Sequence, residues 1–144
     1  MECPGYEHME HTADELVVGR GRTLEEAFEM AAIGVYEVMT DTAKVRPERR
    51  VDIEVEGMDL ENLLYRWIEE LLIATDAEGL VFSIAKVCRI DETGDGYKLV
   101  GSAWGEPFDP ERHEHRTIVK AMTYAQMEIK REDSCWRVQF VVDI

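Results

Sequence analysis

Two segments with helical spacing, separated by one alternating segment, restrict the fold of this chain most strongly. Between residues 24 and 39, and again between residues 60 and 72, apolar residues recur every three or four positions. This spacing predicts two helices, each with one buried face. Thr23 and Asp59 stand at the expected N-cap positions. Residues 50–56 alternate apolar with charged side chains, which predicts a half-exposed strand between the helices.

The other segments with apolar character are short and predict strands. One lies before the first helix and four lie after the second: residues 6–21, 80–90, 97–104, 119–129 and 136–142. The resulting order, β-α-β-α-β-β-β-β, predicts an α+β fold in which a largely antiparallel sheet carries two helices. No repeat, linker or low-complexity tract interrupts the order, so we expect a single domain over residues 1–144.

The charge of the chain limits its partners. The 144 residues include 31 acidic and 16 basic side chains, a formal net charge of −15. Because nucleic-acid affinity comes largely from Lys and Arg, direct tight binding of nucleic acid is disfavoured, whereas a cation or a basic partner is favoured. The longest apolar runs fall well short of the roughly 18 residues of a membrane span. Without a signal peptide in the sequence, we expect a cytoplasmic protein with no membrane association.

Three cysteines, Cys3, Cys88 and Cys135, stand far apart in the sequence. No C-x-x-C pair is present, so neither a disulfide framework nor a zinc site is expected. The sequence predicts three ordinary reduced thiols.

The first candidate site is the segment 6–14, which contains two His, two Glu and one Asp. His8 and His11 are three residues apart, whereas a zinc-protease helix spaces its two His by four. Zinc is therefore disfavoured. We expect His11 and Thr12 to hydrogen-bond neighbouring backbone and hold a turn.

The second candidate joins the two ends of the sequence. Asp143 and the α-carboxylate of Ile144 are adjacent hard oxygen donors. If the last strand lies beside the first, Asp14 joins them, and three carboxylates would repel one another unless a cation neutralised them. Oxygen ligands favour calcium, magnesium or manganese over zinc. The alternative is a solvated acidic group at the end of a strand.

Lys120 is the third candidate, a single cation on the long strand predicted over residues 119–129. It would be either a solvated charge or a contact to a phosphate or an acidic partner. His113 and His115, in the proline-containing loop before it, are expected at a solvent-exposed tip.

No catalytic constellation is evident in the sequence. It contains neither a glycine-rich phosphate loop nor an arguable nucleophilic triad. A metal-dependent hydrolase using Asp14 and Asp143 would need a base and a substrate pocket that the sequence does not reveal. We therefore expect a protein that is not an enzyme.

An ordered set of motifs over nearly the whole chain resembles the archease family. The motifs are EHMEHTAD (7–14), TLEEAF (23–28), VMTD (38–41), DLENLL (59–64), FDPERHE (108–114), VKAMTY (119–124) and VDI (142–144). The resemblance implies a small acidic cofactor of the tRNA-splicing RNA ligase, which promotes guanylylation and turnover of the ligase. A chaperone-like role toward a tRNA cytosine methyltransferase is the alternative that the resemblance offers.

The resemblance also implies site residues. It assigns a divalent metal, calcium with magnesium or manganese as alternatives, to Asp14, Asp143 and Ile144, and it assigns activation of the partner to Lys120. His11 and Thr12 would support the site. The chain departs from the family pattern at Glu15-Leu16, where an apolar residue and Gly are common, and at Ala125, where His is frequent. The first departure adds a carboxylate beside Asp14.

Overall fold

The computed structural model of the chain describes residues 3–10 and 14–144. Within them lie two helices and eight strands, and a short 3₁₀ helix, Thr42–Lys44, follows the first α-helix. The elements are β1 (Gly5–Glu10), β2 (Asp14–Gly21), α1 (Leu24–Met39), β3 (Arg49–Gly57), α2 (Leu60–Glu78), β4 (Leu80–Glu92), β5 (Tyr97–Pro107), β6 (Ala121–Met122), β7 (Glu128–Glu132) and β8 (Cys135–Asp143).

The strands form two antiparallel sheets. One sheet has the order β1-β2-β8-β6, with β7 also paired to β8, and the other has the order β3-β5-β4. Both helices contact both sheets, α1 chiefly through β2 and β4 and α2 chiefly through β3 and β5. The predicted fold class and the order of helices and strands are confirmed; the division into two sheets is a feature that the sequence did not reveal. Neither described helix is long and apolar enough to span a bilayer.

The helices begin where their capping residues predict. The Thr23 side chain accepts a hydrogen bond from the Glu26 amide at 3.1 Å, and the Asp59 side chain accepts one from the Asn62 amide at 2.7 Å. Each bond satisfies an amide that has no partner inside the helix. Gly79, in the left-handed conformation with φ 68°, ends α2.

The two helices meet in one apolar core between the sheets. Trp67 of α2 is fully buried, and its Nε1 donates to the Phe28 carbonyl of α1 at 3.1 Å. Tyr36 of α1 packs edge-on against Phe82 of β4, with ring centroids 5.2 Å apart. These contacts fix α1 relative to α2 and to the second sheet.

Helix α1 also approaches β2 very closely. A Cβ atom at Gly19 would stand 2.6 Å from the Ala31 nitrogen and 2.8 Å from the Ala27 carbonyl oxygen. A glycine inside a strand often marks such an approach of another backbone. Gly19 therefore lies within β2 because α1 packs directly on the strand.

Two of the predicted strands are each divided in the structure. Residues 6–21 contain β1 and β2, and residues 119–129 contain β6 and the beginning of β7. Between β6 and β7, the Thr123 hydroxyl donates to the Val141 carbonyl at 2.7 Å, and Gln126 has a φ of 53°. The prediction of one continuous strand is therefore wrong, because residues 123–127 interrupt it. Thr123 and Ala125 bury little apolar surface, and the Thr123 hydroxyl competes with regular pairing.

We expect Gly19→Ala to lower the free energy of unfolding by about 2 kcal/mol, because the added methyl group would force α1 away from β2. Gly94→Ala is a matched control, since a Cβ there has no atom within 4 Å. Urea denaturation of both variants measures the difference. Equal stability of the two variants would contradict the close packing inferred here.

Candidate functional site

The pairing of β2 with β8 brings together two of the predicted metal ligands. The strands run antiparallel, and Asp14 lies directly opposite Asp143. Directly opposite residues project from the same face of a sheet, with Cβ atoms about 5 Å apart. Asp14 is half-buried and Asp143 is exposed. The sequence expectation that the last strand lies beside the segment with Asp14 thus corresponds to the observed register.

The neighbouring residues project elsewhere. Glu15 lies opposite Val142 in the same ladder. Because successive side chains of a strand alternate between faces, Glu15 points away from Asp14. The carboxylate that distinguishes this chain from the family pattern therefore does not join the Asp14–Asp143 pair. The Ile144 side chain packs against the main core.

The segment that carries Lys120 pairs with the same end of β8, on the side away from β2. The Lys120 backbone N–H donates to the Asp143 carbonyl at 2.8 Å, and Ala121 is the partner of Asp143 in the β6–β8 pairing. Asp143 therefore lies between Asp14 on β2 and the segment that carries Lys120. The Lys120 side chain is exposed. We call Asp14, Asp143 and Lys120 the acidic strand end.

Large apolar side chains are exposed on either side of Lys120. Ile118 is 77% exposed and Tyr124 is 52% exposed. The Tyr124 ring stacks on Tyr65 of α2 at 4.4 Å, and its hydroxyl accepts a hydrogen bond from Asn62 at 2.8 Å. The segment around Lys120 thus presents a cation together with an apolar and an aromatic side chain that α2 holds in place.

The donor atoms at the acidic strand end match a hard cation. Two like charges placed opposite each other in a sheet destabilise it, and a cation between them removes that repulsion. Among the described residues, no group of three or more His, Cys, Asp or Glu side chains is arranged to hold a metal. Asp14 and Asp143 therefore suit calcium, magnesium or manganese by donor type, and a full ligand set requires further oxygen atoms. The predicted supporting residues His11 and Thr12 lie outside the described residues.

His8, the other histidine of this segment, has a structural contact. Its Nε2 lies 2.8 Å from the Gly34 carbonyl of α1 and can donate to it, and its ring contacts Tyr6. The Tyr6 hydroxyl in turn donates to Glu37 of α1 at 3.1 Å. These bonds attach β1 to α1.

The loop before Lys120 is held by a buried acid that the sequence analysis did not identify. Glu106, only 4% exposed, accepts hydrogen bonds from the Arg112 guanidinium and the Arg46 amide. His113 Nδ1 accepts from the Asp109 amide at 2.8 Å, so Nε2 is the nitrogen that donates to Glu106 at 2.9 Å. The expectation of a solvated tip is therefore wrong for His113, because a buried carboxylate requires donors around it; it holds for His115, which is exposed.

The chain then crosses the end of α1 on its way to Lys120. The amides of Arg116 and Thr117 donate to the carbonyls of Met39 and Val38 at 3.2 and 3.1 Å. Arg116 also forms an ion pair with Glu37 at 3.0 Å. These contacts fix the loop at both ends. The backbone of Lys120 then lies beside Asp143 and bonds to it.

Comparison with known proteins identifies the relatives of this chain. Residues 6–144 match the family model described as "Archease protein family (MTH1598/TM1083)". The chain belongs to the archease family. Protein archease of Aeropyrum pernix is 68% identical over 144 residues, which cover all of both chains. Protein archease of Sulfurisphaera tokodaii is 52% identical over 139 residues, covering 96% of this chain and 98% of that one.

Solved archease-family structures have the same fold. The solution structure of Methanobacterium thermoautotrophicum protein 1598 superimposes with a TM-score of 0.82 at 39% identity, covering 98% of this chain and 99% of that one. A crystal structure from Thermotoga maritima, described as "an archease, possible chaperone", gives a TM-score of 0.58 at 19% identity, with 94% of each chain covered. The second likeness concerns the fold alone.

The electrostatics of Glu106 lead to a pH prediction. Burial alone would raise the pKa of Glu106, but hydrogen bonds from Arg112, the Arg46 amide and His113 outweigh it and lower the pKa from 4.5 to about 2. A carboxyl whose pKa is lower in the folded state stabilises the fold above its unfolded pKa, and this contribution is lost as the pH falls toward the folded value. The loss should therefore occur between about pH 4.5 and pH 2.

We expect Glu106→Gln to lower the stability at pH 7 by about 2 kcal/mol and to flatten the acid dependence in this range, because the amide cannot accept the three charge-assisted bonds. Glu56→Gln, at an exposed position of β3, is the control. Denaturant unfolding at several pH values measures both effects. An acid profile of Glu106→Gln that parallels wild type would refute the assignment.

Proposed function

We propose that this chain activates the RNA ligase of tRNA splicing by promoting guanylylation and turnover of the ligase, and that it catalyses no reaction itself. Membership of the archease family supports the proposal. The observation that carries it is the acidic strand end, where Asp14 lies opposite Asp143 and the Lys120 amide bonds the Asp143 carbonyl. Residues from three separate segments of the chain meet there.

In this proposal Asp14, Asp143 and the carboxylate of Ile144 hold a divalent cation, with calcium preferred to magnesium or manganese. All donors are oxygen atoms, and calcium tolerates an irregular set that is completed by water or by a partner. A bound cation would neutralise the facing carboxylates. The half-buried Asp14 and the exposed Asp143 leave one side of the pair open to such additional ligands.

Lys120 has the role of contacting the partner. In a chain with 31 acidic and 16 basic residues, an exposed ammonium beside the acidic strand end is suited to a carboxylate of the ligase or a phosphate of its nucleotide. The exposed Ile118 and Tyr124 supply the apolar and aromatic contact area that protein interfaces favour. The net charge of −15 would steer the chain toward the basic, RNA-facing surface of the ligase rather than toward RNA itself.

A chaperone-like role toward RNA-processing enzymes, such as a tRNA cytosine methyltransferase, is the second candidate. It is favoured by the description of the Thermotoga maritima relative as a possible chaperone. Holding a client by apolar contact would require neither a cation at the acidic strand end nor the Lys120 ammonium. The two candidates therefore differ in their dependence on these residues.

We expect Lys120→Ala and Asp143→Asn each to slow single-turnover guanylylation of the ligase by roughly tenfold or more, because each removes a charged contact near the reacting nucleotide. Lys86→Ala and Asp95→Asn are matched controls, since both residues are exposed on the second sheet or its hairpin. The controls should stimulate the ligase as wild type does.

Full stimulation by both site variants would refute the site assignment. If the same variants also suppressed aggregation of a tRNA methyltransferase as well as wild type does, the chaperone role would be favoured over ligase activation.

The cation can be tested without the ligase. Calcium at about a hundredfold excess over its Kd should raise the melting temperature of wild type and Asp95→Asn by roughly 8 °C. Asp143→Asn should lose this response. In metal-free buffer, however, it should be more stable than wild type by about 0.5 kcal/mol, because the repulsion of Asp14 is gone. Calorimetric melting with calcium and with a chelator measures both effects, and an undiminished calcium response of Asp143→Asn would exclude the site.

A further inference from the structure

Two cysteines that are far apart in the sequence approach each other at the opposite end of β2 from Asp14. The registers pair Arg20 of β2 with Gly5 of β1 on one side and with Arg137 of β8 on the other. Cys3 lies two residues before Gly5, and Cys135 is the first residue of β8, next to Trp136, which pairs with Gly21. Both residues therefore lie at the same end of the sheet, on either side of β2.

The two thiols face one cavity and interact across the end of β2. Strands separated by a third lie about 9.5 Å apart, which is too far for a disulfide. Here, however, the two side chains are near enough to interact, since Cys135 contributes to the raised pKa of the Cys3 thiol. Both also line one cavity of about 510 Å³, together with Arg20, Arg22 and Ser134. Cys3, two residues before β1, therefore lies on the same cavity as Cys135 at the beginning of β8.

The surroundings of Cys3 do not favour its thiolate. Burial is the largest cause, followed by the hydrogen bond to Cys135, and together they raise the pKa of the Cys3 thiol to about 11, against a weaker opposing effect of Arg22. Reactive catalytic cysteines have lowered pKa values, and strongly oxidising disulfides are those whose reduced thiolate is stabilised. Cys3 meets neither condition, and its surroundings therefore favour a structural bond in which the oxidised state persists once it forms.

We propose that Cys3 and Cys135 form a disulfide bond that fastens the edge strand β1 across β2 to β8. Among the described strands, β1 pairs only with β2, so its beginning depends on that one ladder. The bond would link residues 3 and 135 and so close most of the chain into a ring. Long rings give the largest reduction in the entropy of the unfolded chain. The proposal is independent of the ligase.

The oxidant is a small-molecule disulfide such as oxidised glutathione. One of the two thiols, as its thiolate, attacks one sulfur of the oxidant, forming a mixed disulfide and releasing one glutathione thiolate, which takes up a proton. The other thiol then loses its proton and attacks the protein sulfur of the mixed disulfide, forming the Cys3–Cys135 bond and releasing the second glutathione. Two protein thiols are oxidised, and one disulfide is reduced to two thiols.

The test uses the full chain, in chelator-containing buffer so that metal binding cannot protect the thiols. Cys88 is exposed on β4 of the other sheet, which makes Cys88→Ser the control that keeps the pair. After incubation with oxidised glutathione, wild type and Cys88→Ser should each lose the mass of two hydrogens, and proteolysis should yield one peptide that joins Cys3 to Cys135. Reductant should then lower the melting temperature of oxidised Cys88→Ser by roughly 10 °C.

Cys3→Ser and Cys135→Ser should show neither the mass loss nor the response of the melting temperature to reductant. The proposal is overturned if oxidised Cys88→Ser keeps two titratable thiols, or if glutathione remains attached to Cys3 or Cys135 without ring closure. It is equally overturned if the linked chain melts at the same temperature with and without reductant.

Discussion

The antiparallel pairing of β2 with β8 is the interaction on which the rest of this structure depends. It joins residues 14–21 to residues 136–143 in one uninterrupted register. One end of the ladder holds the facing carboxylates of Asp14 and Asp143, and the other end leads to the converging thiols. A slip of one residue would turn each of these side chains to the other face of the sheet. The close contact of α1 with Gly19 opposes such a slip, because only glycine leaves room for the helix backbone.

The carboxylate of Glu106 and the carboxylates of Asp14 and Asp143 have different surroundings. Glu106 is buried, and its charge is satisfied inside the fold by Arg112, His113 and a backbone amide. Asp14 and Asp143 face each other at a partly open strand end, where Asp14 is half-buried and Asp143 is exposed. The hydrogen bonds of Glu106 hold the loop that precedes Lys120, and the loop places Lys120 beside Asp143. The buried acid and the two facing aspartates are thus connected through this loop.

Sequence patterns predicted the elements that rest on local physics. Thr23 and Asp59 begin the two helices because a capping side chain needs only its own neighbouring amides. The alternation over residues 119–129 wrongly predicted one continuous strand, because an alternating pattern does not reveal that the Thr123 hydroxyl bonds to β8. Likewise, His113 looked solvent-exposed because its partner Glu106 lies on the preceding strand, and the structure is needed to show that this acid is buried.

The sequence by itself determined the helices, the α+β class, the acidic surface and, through its ordered motifs, the archease family. It also named Asp14, Asp143 and Lys120 as candidates. Only the tertiary structure decided that Asp14 lies opposite Asp143, that Glu15 points away from them, and that Cys3 and Cys135 line one cavity. The reason is physical: helix caps and periodicity arise from interactions within a few residues, whereas strand pairing between distant segments is selected by the packing of the whole core.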